Sequence, residues 1–387
     1  MAKPTIVVGG AIAQKPHRGG HTWVFLQYLL GFRRLGWEVF FLDQLEPTMC
    51  VDANGLPCAA EASVNAQYMR DVMERIGAHD SYAIVTGAGR PPIGLAERDI
   101  EARVTDAAFL LNVNGLVRDD SVLRAASRRV FLDIDPGVGQ MWRALGLKDI
   151  FSGHDDYVTI GAHIGADGCP IPTCGINWIT TRPPVVLEEW PVHYDDDNRW
   201  FTSVAAWRGA YGPLEYEGRT YGLRVHEFRK FVDLPRLSGQ QFEVALDIHP
   251  ADRRDKSLLE MRGWSLVDPA VVARDPWAYR DYIQGSSAEF MIAKSLYVDT
   301  RCGWISDRSV CYLASGKPVV MQNTAVDTIY PTGEGLVTFE TVDQAVRAVG
   351  AVSRRHFDHS RAARRLAEEY FDSDVVLRQL LDDLHVA

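Results

Sequence analysis

Residues 5–43 read TIVVGGAIAQKPHRGGHTWVFLQYLLGFRRLGWEVFFLD, and this stretch gives the strongest indication of the fold. Residues 5–8 are all β-branched, which predicts a buried strand. After a glycine-containing loop, apolar residues recur at helical spacing from Trp23 to Leu35, and Gly36 ends the predicted helix. Residues 37–42 predict a second strand. A strand–loop–helix–strand unit of this kind is typical of a parallel sheet covered by helices.

The same pattern continues through the first half of the chain. Helical segments alternate with further predicted strands at residues 82–85, 107–112, 129–133, 157–161 and 178–180. A proline-rich, acidic segment follows, and it shows no hydrophobic period. We predict that this segment, residues 186–199, is an interdomain linker.

A second unit of the same kind begins after the linker. Its predicted strands are at residues 201–206, 242–248, 288–292, 296–298, 318–322 and 335–339. A loop is predicted at 207–219, a helix at 221–232, and residues 342–386 are almost entirely helical in pattern. The predicted fold class is α/β, with two Rossmann-like domains that face each other across a cleft.

The predicted domain limits follow from these patterns. They are an N-terminal domain at 1–185, the linker at 186–199, a C-terminal domain at 200–341 and terminal helices at 342–387. In open parallel sheets, ligands bind beyond the carboxyl ends of the strands. We therefore looked for chemically active residues at those ends.

The composition excludes several classes of protein. The 387 residues include 41 Lys and Arg and 51 Asp and Glu, a net charge of −10, and 47% are hydrophobic. This is a globular composition, and the acidic balance argues against nucleic-acid binding. No apolar run is long enough for a membrane span or a secretory signal, so we expect a cytoplasmic protein. The spacing of the six cysteines favours reduced thiols over a disulfide framework or a metal site.

One group of candidate residues lies at the start of the first helix. Gly19 and Gly20 would allow the backbone to approach a ligand, and His21 beside a helix N-terminus is a candidate general base. Asp133 and Asp135 follow a predicted strand and are candidates to orient that base. Each aspartate could equally be a turn or capping residue.

A second group follows strands of the second unit. Arg208, Gly209 and Asp247 come at or just after two strand ends, where a guanidinium group could hold phosphate oxygens. Residues 300–328 are the richest stretch, because polar side chains surround the start of a predicted helix and the end of the next strand. The candidates in that stretch are Ser306, Asp307, Arg308, Ser309, Asn323, Thr324 and Asp327.

The chain resembles the family 1 glycosyltransferases of GT-B fold. Residues 19–39, GGHTWVFLQYLLGFRRLGWEV, are similar to the Gly-His helix start of that family, and RCGWIS at 301–306 with GKP at 316–318 is similar to its donor signature. The sequence departs from the signature at Arg301, Ile305, Ser309 and Thr328, where the family has His, Asn, Glu and Gln. Glu289 or Asp307 could replace the missing glutamate.

The resemblance implies transfer of a hexose or deoxysugar from a UDP- or dTDP-sugar to a small acceptor such as a natural product. The donor would bind the C-terminal domain and the acceptor the N-terminal domain, with no obligatory metal. His21, helped by Asp133, would deprotonate the acceptor hydroxyl, and the reaction would invert the anomeric centre. Arg208, Ser306 and Arg308 would stabilise the departing diphosphate. The C-terminal helices would pack partly back on the N-terminal domain.

Three alternatives remain open at this stage. A nucleotide-sugar 2-epimerase of the same fold would need carboxylates near the sugar, and Asp133, Asp135 and Glu289 could supply them. A non-catalytic nucleotide- or sugar-binding protein would not depend on His21. A retaining transferase would use His21 only to contact its substrate.

Overall fold

The computed structural model describes residues 4–87, 90–194, 198–209 and 212–386. The strands in these ranges form two parallel sheets, of seven and six strands, and a separate two-stranded hairpin. Within the described ranges, no helix is both long and apolar enough to cross a membrane. The predicted α/β class with two Rossmann-like domains is confirmed.

The first sheet and its helices are formed by residues 5–180. In chain order the elements are β1 (Thr5–Gly9), α1 (Gly19–Arg34), β2 (Glu38–Gln44), α2 (Val64–Arg75), β3 (Tyr82–Val85), α3 (Glu97–Thr105), β4 (Phe109–Val113), α4 (Asp120–Ala125), β5 (Arg129–Asp133), α5 (Val138–Ala144), β6 (Asp156–Thr159) and β7 (Ile179–Thr180). The strand order is β3-β2-β1-β4-β5-β6-β7.

The second sheet, the hairpin and the remaining helices follow. The elements are β8 (Trp200–Ala206), β9 (Leu214–Tyr216), β10 (Arg219–Tyr221), α6 (Arg224–Phe228), α7 (Leu234–Ser238), β11 (Gln241–Asp247), α8 (Arg253–Met261), β12 (Trp264–Val267), α9 (Pro269–Val272), α10 (Pro276–Gln284), β13 (Ala288–Met291), α11 (Ser295–Thr300), α12 (Asp307–Ala314), β14 (Val319–Gln322), β15 (Leu336–Phe339), α13 (Val342–Arg354), α14 (His356–Leu366) and α15 (Ser373–Asp383). The strand order is β12-β11-β8-β13-β14-β15, and β9 pairs with β10.

The first strand of each domain lies where the strand order of its sheet reverses, which is where parallel sheets bind ligands. In the first sheet, β1 pairs with β2 on one side and β4 on the other, and Ile6, Val7 and Val8 are fully buried because helices cover both faces. In the second sheet, β8 lies between β11 and β13. Strand order reverses at these two positions, where the following loops diverge and leave room for a ligand.

Most predicted elements agree with the structure, and some do not. The strands predicted at 82–85 and 129–133 match β3 and β5. The strand predicted at 296–298 is wrong, because these residues lie in helix α11; a three-residue apolar run has no period that separates strand from helix. The helix predicted from Tyr221 begins only at Arg224, since Tyr221 ends β10. Residues 195–197 of the predicted linker and 210–211 of the predicted loop lie outside the described residues.

Helix α15 packs against α1 of the first domain. Gly31 lies at this contact, where an added Cβ would be 2.5 Å from Cδ1 of Leu377. On the rim of the contact, Arg34 Nε is 3.0 Å from a carboxylate oxygen of Asp374. The C-terminal helix is therefore joined to the first domain by both packing and charge.

The chain passes from one sheet to the other twice, once after β7 and once between α14 and α15. These two passages are hydrogen-bonded to each other: the Val185 N–H donates to the Phe371 carbonyl at 2.7 Å, and the Ser373 N–H donates to the Val185 carbonyl at 2.9 Å. Arg364 adds a bond of 3.0 Å to the Trp190 carbonyl. The limits of the domains themselves stay a prediction.

Gly19 and Gly20, at the start of α1, lie where the two domains are in close contact. The Gly19 N–H donates to the Ala273 carbonyl at 2.7 Å, and an added Cβ on Gly19 would lie 2.1 Å from the Asp275 carbonyl oxygen. An added Cβ on Gly20 would lie 2.7 Å from the ring of Tyr279. The sequence predicted that these glycines make room for a ligand; the structure shows that both also make room for the other domain.

The Gly19→Ala variant tests this contact. A Cβ at position 19 meets backbone atoms, so the two domains must separate locally, and we expect a loss of about 1–3 kcal/mol of unfolding free energy. Gly212→Ala is the matched control, because a Cβ there meets no atom of the described residues within 4 Å. Urea unfolding of both variants measures the effect, and equal stabilities would contradict the role given to Gly19.

Candidate active site

A cavity of about 900 Å³ lies between the two domains. Its N-terminal wall is the segment from Gln14 to His21, which connects β1 to α1. Its C-terminal wall comes from the ends of β8 and β11, the start of α9 and the start of α12. The cavity therefore lies at the carboxyl ends of both sheets, where the strand orders predict a ligand site.

The structure brings several predicted residues together in this cavity. On the N-terminal side these are Gly19, Gly20 and His21, and on the C-terminal side Gly209, Asp247, Ser306, Asp307 and Arg308. Ser306 is the N-cap of α12, because its hydroxyl accepts the Arg308 N–H at 3.2 Å. The positive end of the α12 dipole thus faces the cavity.

Arg308 and Glu289 form a buried ion pair behind the cavity surface. The guanidinium group donates to Glu289 Oε1 at 2.5 Å and to the Val204 carbonyl at 2.7 Å. Glu289 is fully buried, and its second oxygen, Oε2, has no hydrogen-bond partner among the described residues. The predicted direct contact of Glu289 with a ligand has no support in this geometry; Glu289 positions Arg308 at the cavity wall.

Arg224 is a cavity residue that the sequence analysis missed. Its Nε is buried without a partner in the described part of the chain, and its Nη1 makes only a long bond, 3.5 Å, to the Ala206 carbonyl. Burial, assisted by the neighbouring charge of Arg308, lowers the pKa of Arg224 to about 10. The group is still charged at neutral pH. One signal was available in the sequence, since a cation in the first turn of a helix opposes the helix dipole.

His21 lies on the N-terminal wall as a neutral imidazole. Burial is the main cause that lowers its pKa to about 3, and Lys15 and Arg18 act in the same direction. Its Nε2 is buried and has no hydrogen-bond partner among the described residues. The ring packs edge-on against Phe25 at a centroid distance of 5.0 Å.

The two predicted aspartates do not contact His21. Asp133 is buried, and its carboxylate accepts hydrogen bonds from Gln140 Nε2 at 2.7 Å and Thr159 Oγ1 at 2.9 Å. Burial raises the pKa of Asp133 to about 6. Asp135 reaches the other domain, where Lys294 Nζ lies 2.8 Å from its carboxylate. Within the described ranges, no hydrogen bond joins either carboxylate to His21.

The remaining predicted donor residues lie away from the cavity. Arg208 is exposed and pairs with Asp252. Asn323 donates to Asp327 at 3.0 Å, and the Thr324 hydroxyl donates to a backbone carbonyl at 2.6 Å. Ser309 is fully buried. These contacts order the loop after β14 and leave its polar groups no direct path to the cavity.

Asp43, at the end of β2, is a second residue whose role the sequence analysis missed. Its carboxylate accepts the Ala13 N–H at 2.6 Å, Gln14 Nε2 at 2.9 Å and the Gln44 N–H at 2.7 Å. Asn65 Nδ2 adds a bond of 2.8 Å to the Ala13 carbonyl. These bonds hold the start of the loop that forms the N-terminal wall, at Ala13 and Gln14.

No cluster of three or more histidine, cysteine or carboxylate side chains suited to a metal ion occurs in the part of the chain that the structure describes. The cavity wall combines cations, a neutral imidazole and the carboxyl groups of Asp247, Asp268 and Asp307.

Comparison with solved structures identifies the architecture. An α-glucosyltransferase in complex with UDP superimposes with a TM-score of 0.58 at 11% identity, covering 99% of this chain and 100% of that chain. The Anabaena protein HepE in complex with UDP gives 0.58 at 9% identity, and a sucrose-phosphate synthase from Thermosynechococcus elongatus gives 0.55 at 10% identity, each covering 99% of both chains. No protein-family model and no curated protein sequence matches the chain. At these identities the likeness shows the fold alone: the chain has the GT-B architecture.

The buried state of His21 predicts a specific pH dependence of stability. Unfolded His21 takes up a proton near pH 6.5, whereas folded His21 takes one up only near pH 3. As the pH falls from 6.5 towards 3, protonation therefore favours the unfolded state, and the free energy of unfolding decreases. Relative to a His21→Asn variant, the parent should lose about 1.5 kcal/mol of unfolding free energy between pH 6.5 and pH 5. Chemical unfolding at several pH values measures this, with the exposed His385→Asn as the matched control. A difference between parent and His21→Asn that stays constant with pH would contradict the buried neutral imidazole.

Proposed function

We propose that this chain is a glycosyltransferase that moves a sugar from a nucleoside-diphosphate sugar to an acceptor hydroxyl. The observation that carries the proposal is the pair of guanidinium groups, Arg224 and Arg308, beside the N-terminus of α12 in the cavity between the domains. A buried cation without a counter-ion is unfavourable. A diphosphate supplies the missing negative charge.

The diphosphate would lie between β8 and α12. Arg308 is held in place by Glu289, and the unpartnered Nε of Arg224 is available to a phosphate oxygen. Guanidinium groups match phosphate oxygens geometrically, and a helix N-terminus adds free N–H groups and a positive dipole end. Gly209, which has a left-handed φ of 94°, lines the same side of the cavity and leaves it open.

The nucleoside would extend along the C-terminal wall towards Asp268, Pro269 and Ala270, which also line the cavity. UDP is the first candidate, because two of the solved structures with this fold hold UDP. The cavity volume of about 900 Å³ is within the range of pockets that bind ligands of this size.

His21 is the proposed general base. As the acceptor oxygen attacks the anomeric carbon, its proton passes to Nε2 of His21, the new carbon–oxygen bond forms, and the bond to the diphosphate breaks with inversion. A bound anionic donor would raise the low pKa of His21, because a nearby negative charge favours the imidazolium form. Arg224 and Arg308 would stabilise the negative charge that develops on the departing diphosphate. This proposal does not require Asp133.

The structure removes support from the three carboxylates named for a 2-epimerase. The epimerase alternative needs carboxylates at the sugar, and Asp133, Asp135 and Glu289 were its candidates. Asp133 and Glu289 are buried and hold other side chains, and Asp135 pairs with Lys294. None of the three lines the cavity between the domains.

The donor site predicts selective stabilisation by one nucleoside diphosphate. UDP should raise the melting temperature of the parent more than dTDP, GDP or ADP do, because a ligand of the folded state stabilises it by mass action. Arg224→Ala should weaken UDP binding by about tenfold or more, which corresponds to about 1.4 kcal/mol. The exposed Arg378→Ala is the matched control. Equal UDP affinity in Arg224→Ala and in the parent would overturn the site.

If His21 is the general base, its replacement should slow the reaction without weakening donor binding. His21→Asn should bind UDP within about twofold of the parent but release UDP from UDP-glucose with an acceptor about 10²–10⁴-fold more slowly, since a general base contributes that much. Steady-state kinetics against a panel of hydroxyl acceptors measures the rate, and NMR of the product gives the anomer. Unchanged kcat, or retention of configuration, would contradict the assigned role of His21.

A further inference from the structure

The N-terminal wall of the cavity holds a second cation that the donor does not explain. Lys15 lies in the loop between β1 and α1, lines the cavity and is exposed to it. Among the described residues, no carboxylate or carbonyl lies within hydrogen-bond or ion-pair distance of its ammonium group. Desolvation in the cavity lowers the pKa of Lys15, and Arg18 and Lys294 act in the same direction, whereas Asp135 opposes them.

The acidic groups near Lys15 are already engaged. Asp43 uses both carboxylate oxygens to hold the base of the loop. Asp135 is bound by Lys294 and Tyr297. Asp247, across the cavity, pairs with Arg18 at 2.9 Å. Lys15 is thus left as a positive charge without a counter-ion.

The loop that carries Lys15 is fixed at its base before any ligand binds. The bonds from Asp43 and Asn65 hold the backbone of Ala13, two residues before Lys15. At the other end of the loop, Gly19 is bonded to the second domain. A cation on a fixed loop loses little freedom when an anion binds, which favours binding.

The aromatic side chains of α1 supply no apolar platform to this wall. The aromatic side chains of α1 nearest to the cavity, Trp23, Phe25 and Tyr28, are 2%, 0% and 2% exposed and pack in the core. The wall is instead polar and cationic, with Gln14, Lys15 and Arg18. An uncharged aromatic acceptor would leave the ammonium group desolvated and unpaired.

We infer that the acceptor carries an anionic group, a phosphate or a carboxylate, and that Lys15 binds this group on the wall that also holds His21. This inference rests on the proposed function for the identity of the second substrate as an acceptor. Lys15 acts as a specificity-determining residue, since it selects charged acceptors and leaves the donor to Arg224 and Arg308.

The experiment titrates inorganic phosphate and acetate into the protein saturated with UDP, and follows the melting temperature at constant ionic strength. Phosphate and acetate distinguish the two anionic groups. We expect at least one of them to stabilise the parent complex further, with an affinity about tenfold lower in Lys15→Ala and recovered in Lys15→Arg. Lys256→Ala, at an exposed position outside the cavity, is the matched control. Anion binding that is equal in Lys15→Ala and in the parent overturns the inference.

A second measurement separates this inference from the proposed function. UDP affinity should be the same within about twofold in Lys15→Ala and in the parent; a drop of about tenfold would place Lys15 in the donor site and overturn the inference. If UDP binds neither protein, the proposed function fails. The anion titration is then made with the Arg224→Ala variant. The anion site at Lys15 is supported only if Lys15→Ala abolishes anion binding in that variant as well.

Discussion

The hydrogen bond from the Gly19 N–H to the Ala273 carbonyl decides how the two domains share the cavity. It occupies the first free amide of α1 with a protein group, so this amide is not available to a ligand. The corresponding end of α12 faces the cavity, with Ser306 as its cap. One interdomain contact therefore engages an amide at the start of α1, whereas the start of α12 stays open to the cavity.

The cations of the cavity differ in whether they have a counter-ion within the protein. Arg308 has a counter-ion in Glu289, but Arg224 and Lys15 have none among the described residues. One unpaired cation lies on each wall. In the proposed reaction, Arg224 would face the diphosphate of the donor and Lys15 the anionic group of the acceptor. His21 lies on the first wall, where desolvation keeps it uncharged.

The sequence was sufficient for the architecture and for half of the site. The β-branched run at 5–8, the helical period after it and the polar cluster at 306–308 are local patterns, and each lies where local patterns indicated. The role of Asp43 could not be found this way, because its partners Ala13 and Gln14 are far from it along the chain. Arg224 offered only the weak signal of a cation at a helix start, and its Nε is seen to lack a partner among the described residues only in the folded structure. Their positions after predicted strands made Arg208 and Asn323 donor candidates, and in the structure both side chains bond to aspartates. A short run such as 296–298 carries too few residues to define a period.

The paired passages at Val185 and at 371–373 have a mechanical consequence. Two separate chain segments between the domains would allow rotation in many directions. Here the two segments are hydrogen-bonded side by side, so they behave as a short ribbon. A ribbon bends easily about the line across its width and resists twisting and shear. Bending of this ribbon would change the gap between the two walls, and the Gly19–Ala273 hydrogen bond and the Asp135–Lys294 ion pair oppose that change.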